Sequence, residues 1–190
     1  MTDIDIDFKN RDQILELVTH IPAGMIKQDK LVKHNNGVYF QEIPTDPETG
    51  IASIIFDQAE ERGWNKIDLL NVHIYEKVRN EQHLNELLER EPLWELLESE
   101  DFVVGQQLFH LHDHFYLLKQ MPPRSVEQLA MILAMRLPSK KYLVGKPWDE
   151  VEKDVWKPSS EYYFKHSHAI SYALAVLIHM NLIIEELYGS

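Results

Sequence analysis

Near the start of the chain, Asp3-Ile4-Asp5-Ile6-Asp7-Phe8 alternates acidic and apolar residues without a break. Period-two alternation marks a strand, and this one carries Asp3, Asp5 and Asp7 on a single face. Alternate positions on a strand lie roughly 6.5–7 Å apart, so two such carboxylates can bracket a hard divalent cation. Magnesium takes one or two carboxylates and completes its shell with water and phosphate oxygens. A third carboxylate from a neighbouring strand would give a two-metal phosphoryl-transfer site. Asp68, inside Lys66-Ile67-Asp68-Leu69-Leu70, is the natural third member, because an acid in so apolar a segment needs a partner or a metal. The competing reading is a strand whose acidic face lies in water.

A second group is His110-Leu111-His112-Asp113-His114. On a strand all three histidines share a face; on a helix His110 and His114 do. Either arrangement can bind zinc or nickel with a fourth ligand. The alternative is a polar edge where a strand meets a helix. His166 and His168 can contact phosphate as cations, or serve helix entry and packing. No Walker loop, dinucleotide fingerprint or Gly-x-Ser-x-Gly is present.

The elements that must position these groups follow from periodicity. Residues 3–8 read as a strand and Arg11 to His20 as a helix stopped by Pro22-Ala23-Gly24. Asn35-Asn36-Gly37 reads as a turn. Val38 to Ile43 and Ile51 to Phe56 read as a hairpin joined by a long Pro-rich loop. Lys66 to Leu70 is a short buried strand. From Asn71 the spacing turns helical, with Pro92 separating two helices and Phe102 to Leu108 one further strand. Helices are expected at Phe115 to Gln120, Ser125 to Met135, Trp148 to Trp156 and Ala169 to Leu187. Ser125 and Gln128 have capping-box character. The last helix is apolar nearly all round, so it is either central in the core or buries one side in an oligomer. The expected architecture is α+β: a small mixed sheet over residues 1–75, then a mostly helical region over 76–190, the two together forming one compact unit.

Composition narrows the function. The 190 residues carry a net charge of −12 and no cysteine. That excludes disulfides, zinc–thiolate and iron–sulfur centres and thiol nucleophiles. It also disfavours non-specific duplex binding by the whole surface, since proteins held by DNA phosphate are basic. Divalent cations and basic partners suit such a charge. The acidic helices with Glu86, Glu89, Glu91, Glu95, Glu98 and Glu100 read as a solvated face, or else as a DNA mimic or a docking face for a basic partner. With no basic start or apolar leader at the N-terminus, a cytoplasmic protein without a membrane partner is expected.

These residues also carry a family resemblance. The chain resembles a shortened piece of the C-family bacterial replicative polymerase, the alpha subunit of DNA polymerase III. Asp3-Ile4-Asp5-Ile6-Asp7-Phe8 with Arg11-Asp12-Gln13-Ile14 is similar to the palm motif Pro-Asp-Phe-Asp-x-Asp-Phe and the helix after it. His34-Asn35-Asn36-Gly37-Val38 resembles His-Ala-Gly-Gly-Val. Phe56-Asp57 with Lys66-Ile67-Asp68-Leu69-Leu70 resembles the segment ending in Lys-x-Asp-x-Leu-Gly. Gln107-Leu108 and Ser125 to Arg136 resemble the fingers stretch ending in Arg-Pro-Gly-Pro. Tyr163-Phe164-Lys165-His166-Ser167-His168-Ala169 with Tyr172-Ala173-Leu174 resembles Tyr-Gly-Phe-Asn-Lys-Ser-His-Ala and Tyr-Ala-Leu.

The resemblance implies a palm with a polymerase-beta-like nucleotidyltransferase fold, followed by a fingers-like region. It implies Asp3, Asp5 and Asp68 as catalytic aspartates holding magnesium or manganese, with Lys66 beside the third. It places Arg136 opposite the triphosphate, and Lys165 and His168 near incoming nucleotide. The departures matter too. The chain opens on the first catalytic strand, without the Gly/Ser-rich triphosphate loop of the family, and Arg136-Leu137-Pro138-Ser139 replaces Arg-Pro-Gly-Pro. The clamp-binding motif and the single-strand-binding domain have no counterpart. A small, phage-like or mobile-element derivative fits this size. Two functions are therefore expected to compete. One is a DNA-replication module that binds metal and a nucleotide or DNA end, nucleotidyltransferase-like if active, with weak or no stand-alone synthesis. The other is a non-catalytic decoy or adaptor that joins a replication protein, with homo-oligomer formation open in both.

Overall fold

The computed structural model describes residues 4–158 and 164–189. It is an α+β structure with a four-stranded mixed sheet, and it divides into two compact units, 1–76 and 77–190. Each is described by itself.

The amino-terminal unit is built on the sheet, ordered β1-β4-β3-β2, from β1 (Ile4–Phe8), β2 (Ile21–Lys27), β3 (Lys30–Tyr39) and β4 (Ile67–Asn71). β1 runs parallel to β4, while β3 is antiparallel to both β4 and β2. Helices α1 (Arg11–Leu17) and α2 (Phe56–Glu61) complete the unit. Asn10 starts α1 by accepting the Asp12 amide on its side chain at 3.0 Å, a cap that satisfies one of the free amides of the first turn. Arg11 then fastens this end of the helix to the sheet. Its guanidinium donates to the Asn36 side chain at 2.9 Å and the Leu69 carbonyl at 3.1 Å, and its backbone amide donates to the Asn71 side chain at 2.7 Å.

The expected α1 is too long. It ends at Leu17, and Pro22-Ala23-Gly24 lies within β2. β-branched Val18, Thr19 and Ile21 favour extended backbone. Pro22 is tolerated because β2 is an edge strand, where a missing amide donor costs little; the register also shifts between Pro22 and Gly24. The turn expected at Asn35-Asn36-Gly37 is likewise absent, since all three residues belong to β3. The reversal occurs at Gln28 and Asp29, with φ of 52° and 59°. Two successive left-handed residues give the reversal whose twist matches a hairpin. The hairpin expected over 38–43 and 51–56 reduces to a single bridge, Thr45 to Ala52; Ile55 instead bridges to Gly24 of β2, and Phe56 opens α2 instead of closing a strand. Ala23, Tyr39, Ile43, Ala52 and Ala59 form a buried cluster, with Trp64 packed against it.

The carboxy-terminal unit is helical: α3 (Glu81–Glu89), α4 (Phe115–Gln120), α5 (Val126–Met135), α6 (Trp148–Val155) and α7 (His166–Tyr188), with tighter turns between them. Residues 129–135 of α5 are all buried, and α5 packs along α7. Apolar residues all round α7 are buried along most of its length, the first of the two placements expected of it. It is the one helix among the described residues long and apolar enough to cross a membrane, yet 61% of its apolar window is buried inside the protein. Two of its polar residues bond across the core: Asn181 donates to the Leu87 carbonyl at 2.8 Å, although its own side-chain oxygen is buried and accepts nothing among the described residues, and His179 Nδ1 accepts the Phe109 amide at 3.0 Å. The strand expected over Phe102 to Leu108 is instead a wide helical turn, Asp101–Gly105, that buries Phe102 and Val103. A short apolar run does not distinguish a buried strand from a buried helical turn. Ser125 caps α5 as expected, accepting the Gln128 amide at 3.2 Å, but the Gln128 side chain accepts from Arg124 rather than from Ser125. Lys140, only 4% exposed, donates to the Asp154 and Lys157 carbonyls at 2.8 Å each. These lie at the end of α6, where carbonyls lack helical partners and a cation is favoured.

An acid-sensitive clasp holds α3 to α7. Glu185 accepts from His83 Nε2 at 3.0 Å and from Arg90 at 2.9 Å. Burial would raise its pKa, but the hydrogen bonds and charge of His83 and Arg90 outweigh that and hold it below the usual value of 4.5. The clasp therefore contributes its full stability above pH 4.5 and loses it as pH falls through the lowered folded value. Glu185→Gln is expected to unfold more easily than the native chain near neutral pH. The gap should narrow on acidification, as read from thermal midpoints over a pH series.

Candidate metal-binding face of the sheet

Register decides which side chains meet. Asp5 stands directly beside Asp68 in the parallel β1–β4 ladder, and Asp68 stands beside Gly37 across the antiparallel β3–β4 ladder. Directly paired residues project to the same face of a sheet, and neighbouring strands are about 4.8 Å apart. Asp5, Asp7, Lys66, Asp68, Gly37 and Tyr39 therefore share one face. Ile4, Ile6, Ile67, Leu69 and Val38 occupy the other.

Gly37 makes the close packing around Asp68 possible. A Cβ there would come within 2.7 Å of the Lys66 stem, 2.9 Å of His34 Nδ1 and 3.0 Å of Asp68 Oδ1. The His34 ring folds back over the strand, and its Nδ1 accepts the Asn36 amide at 3.3 Å and the Gly37 amide at 2.9 Å. An Nδ1 used as an acceptor carries no proton. The 3.7 Å approach of that nitrogen to Asp68 is therefore not an ion pair. The ion pair at Asp68 is made by the Lys66 ammonium, which bonds to Oδ2. The two side chains are only 13% and 17% exposed. Lys66 also lies over the Phe56 ring, 5.5 Å from its centre. Asp68 Oδ1 is buried and accepts no hydrogen bond among the described residues.

The face is strongly negative. Burial, then repulsion from Asp5, raises the pKa of Asp7, against a hydrogen bond from Tyr75 that lowers it. Burial lifts the Tyr75 hydroxyl to about 12, with Asp7 adding to the shift. Burial likewise lifts Tyr39 to about 12, helped by the charges of Asp68, Asp57 and Glu60. Burial is the larger cause of both shifts, and the carboxylate contributions that add to it are those of a face where a cation gains and an anion loses. Hard oxygen donors, one of them buried without a hydrogen bond, fit magnesium or manganese. Asp5 and Asp68 are the residues that would hold it.

Asp3 lies outside the described residues, as does Tyr163. Among the described residues no three His, Asp or Glu side chains come together as a metal-holding group. Lys66 reaches the carboxylate site, whereas Arg136, Lys165 and His168 belong to the carboxy-terminal unit. There Lys165 precedes the first turn of α7, and His168 stacks edge-on to Phe164 with ring centres 6.3 Å apart. Arg136 closes the end of α5. The three loop histidines do not gather. His110 meets the Tyr172 ring edge-on at 4.8 Å, and His112 lies 3.1 Å from Asp113. Burial, then the charge of Arg136, lowers the pKa of His114.

No family model, curated protein or solved structure matches the chain. The arrangement of side chains must therefore supply the functional argument. Reading single residues for chemistry singles out Asp3, Asp5 and Asp68, and the family resemblance adds Lys66, but neither gives a separate role to Tyr39, Phe56 or Tyr75. Each of these is an aromatic residue in an otherwise ordinary amphipathic segment, and its part in the site comes only from the fold.

Proposed function

We propose that this chain is a replication-related palm–fingers module akin to the alpha subunit of DNA polymerase III. Its amino-terminal unit would be a nucleotidyltransferase-type palm that binds a divalent cation and a nucleotide or DNA end, with weak or no stand-alone synthesis. The observation that supports this reading is the pairing of Asp5 with Asp68 on adjacent parallel strands, residues 63 positions apart in the sequence, together with a buried Asp68 oxygen that accepts no hydrogen bond among the described residues. In this reading Asp5 and Asp68 hold magnesium. The bound cation supplies charge neutralisation for a phosphoryl group during transfer. Lys66 is near enough to share its ammonium between Asp68 and an incoming phosphate, and the absence of a side chain at Gly37 keeps that approach open.

A second reading rests on the Lys66–Asp68 ion pair. An ammonium already balances Asp68, as it would in a polymerase-like fold kept for docking onto a replication partner and not for chemistry. The readings separate on manganese. Calorimetric titration of the native chain is expected to show saturable binding that is lost in Asp68→Ala. Absence of binding in the native chain would leave only the docking role.

A further inference from the structure

The carboxy-terminal unit contains a cavity of about 200 Å³ lined by His110, Leu133, Arg136, Leu137, Phe164 and Tyr172. Its walls are aromatic and aliphatic, with one permanent cation. The rings make a continuous surface: Phe164 and Tyr172 have centres 5.4 Å apart, and His110 meets Tyr172 edge-on. Arg136 Nε is buried and donates to nothing among the described residues. Burial pulls the Arg136 pKa below the ordinary value, against the opposing influence of Tyr172 and Asp113, but a guanidinium stays charged at neutral pH. A buried donor left without an acceptor costs free energy that a bound acceptor recovers. One wall is also held in an unusual conformation, with His110 at φ 60°. Non-glycine residues adopt that region at a cost, and such residues concentrate at binding sites.

We propose that this cavity binds a small aryl anion: one planar ring laid against the surface made by Phe164, Tyr172 and His110, with its carboxylate or phosphate on Arg136. A cavity of about 200 Å³ accommodates a single substituted ring. The ring recovers apolar burial and aromatic contact. The anion is recognised by a planar guanidinium, whose paired N–H groups match carboxylate and phosphate oxygens. Lone inorganic phosphate lacks the ring, and an uncharged aryl alcohol lacks the anion, so each forfeits half of the recognition. The inference does not rest on the carboxylate face of the sheet.

The test uses the full chain with a chelator present, so that its outcome is separate from that of the manganese titration. Benzoate and phenyl phosphate are titrated calorimetrically, with benzyl alcohol and inorganic phosphate as controls. Saturable binding of at least one aryl anion is expected, with a Kd of order 1 mM or tighter, and at least tenfold weaker binding of both controls. The arm that binds distinguishes a carboxylate site from a phosphate site. Arg136→Gln is expected to weaken binding at least tenfold, and Arg136→Lys to retain part of it. Circular dichroism confirms that each variant is folded, and if Arg136→Gln does not fold, Phe164→Ala replaces it with the same expected loss. The proposal is overturned if neither aryl anion binds, if benzyl alcohol binds as tightly as benzoate, or if the folded variant binds like the native chain.

Discussion

Asp68→Asn is expected to destabilise the amino-terminal unit by about 3 kcal/mol, far more than its minimal change of shape implies. Asn and Asp are nearly isosteric, so packing around Gly37 survives the exchange. What is lost is the negative charge facing Lys66, whose side chain is only 13% exposed. Removing one member of a mostly buried ion pair leaves the other without compensation, and that desolvated charge accounts for most of the cost. Removing both should then restore much of the loss. Lys66→Met combined with Asp68→Asn is expected to lie within about 1 kcal/mol of the native chain. The two residues are in direct contact, so their effects are not additive, and a double-mutant cycle isolates the coupling. Hydrogen exchange at the β4 amides, compared across the native chain, the two single variants and the double variant, measures it. Additive losses would mean that the pair contributes nothing to stability.

Gly24→Ala is expected to cost a similar amount, about 3 kcal/mol, for a steric reason. A methyl group at this position overlaps the Ala52 carbonyl oxygen and comes within 2.8 Å of Leu31 Cδ1. The carbonyl belongs to backbone, which cannot swing aside as a flexible side chain can. The segment carrying it is tied down: Ala52 donates to the Pro22 carbonyl at 2.9 Å, and Ile55 bridges to Gly24 itself. Displacing it pulls on both tethers and opens the cluster around Tyr39 and Ala52. Urea unfolding should show a lower midpoint with an unchanged slope. Gly50, whose substitution meets nothing within 4 Å, provides a contrast in packing, although its φ of 68° penalises other side chains for a different reason.

The sequence was most informative where a single periodicity ran unopposed. β1 and β4 were legible because alternation and a short apolar block leave few alternatives, and α5 and α7 because their apolar residues run for several turns. Register was not legible: the chemistry of the carboxylates put Asp68 on a strand neighbouring β1, but nothing in residues 3–8 or 66–70 says that Asp5 aligns with Asp68 and not with Leu70. The region between them misled for an identifiable reason. Asn35-Asn36-Gly37 has the composition of a turn, but Gly37 is there to let Lys66, His34 and Asp68 approach, and its conformation is that of a strand. The actual reversal, Gln28-Asp29, contains no glycine although both residues adopt positive φ. In each case a tertiary requirement overrode local preference. The same holds for Phe102 and Val103, whose burial is satisfied by a helical turn as fully as by a strand.

The parallel pairing of β1 with β4 also dictates a schedule. A ribosome delivers the chain from its amino terminus, so Ile4–Phe8 emerges long before Ile67–Asn71 exists to receive it. The β2–β3 hairpin can close on its own as soon as it is made, because its contacts are local. Among the described residues β1 has its only ladder partner in β4, and contacts between distant segments form late, after a long intervening loop has been closed. Asp5 and Asp68 therefore come together late in that unit's maturation, so a nascent chain stalled before residue 67 has an acidic segment with no strand beside it to pair with.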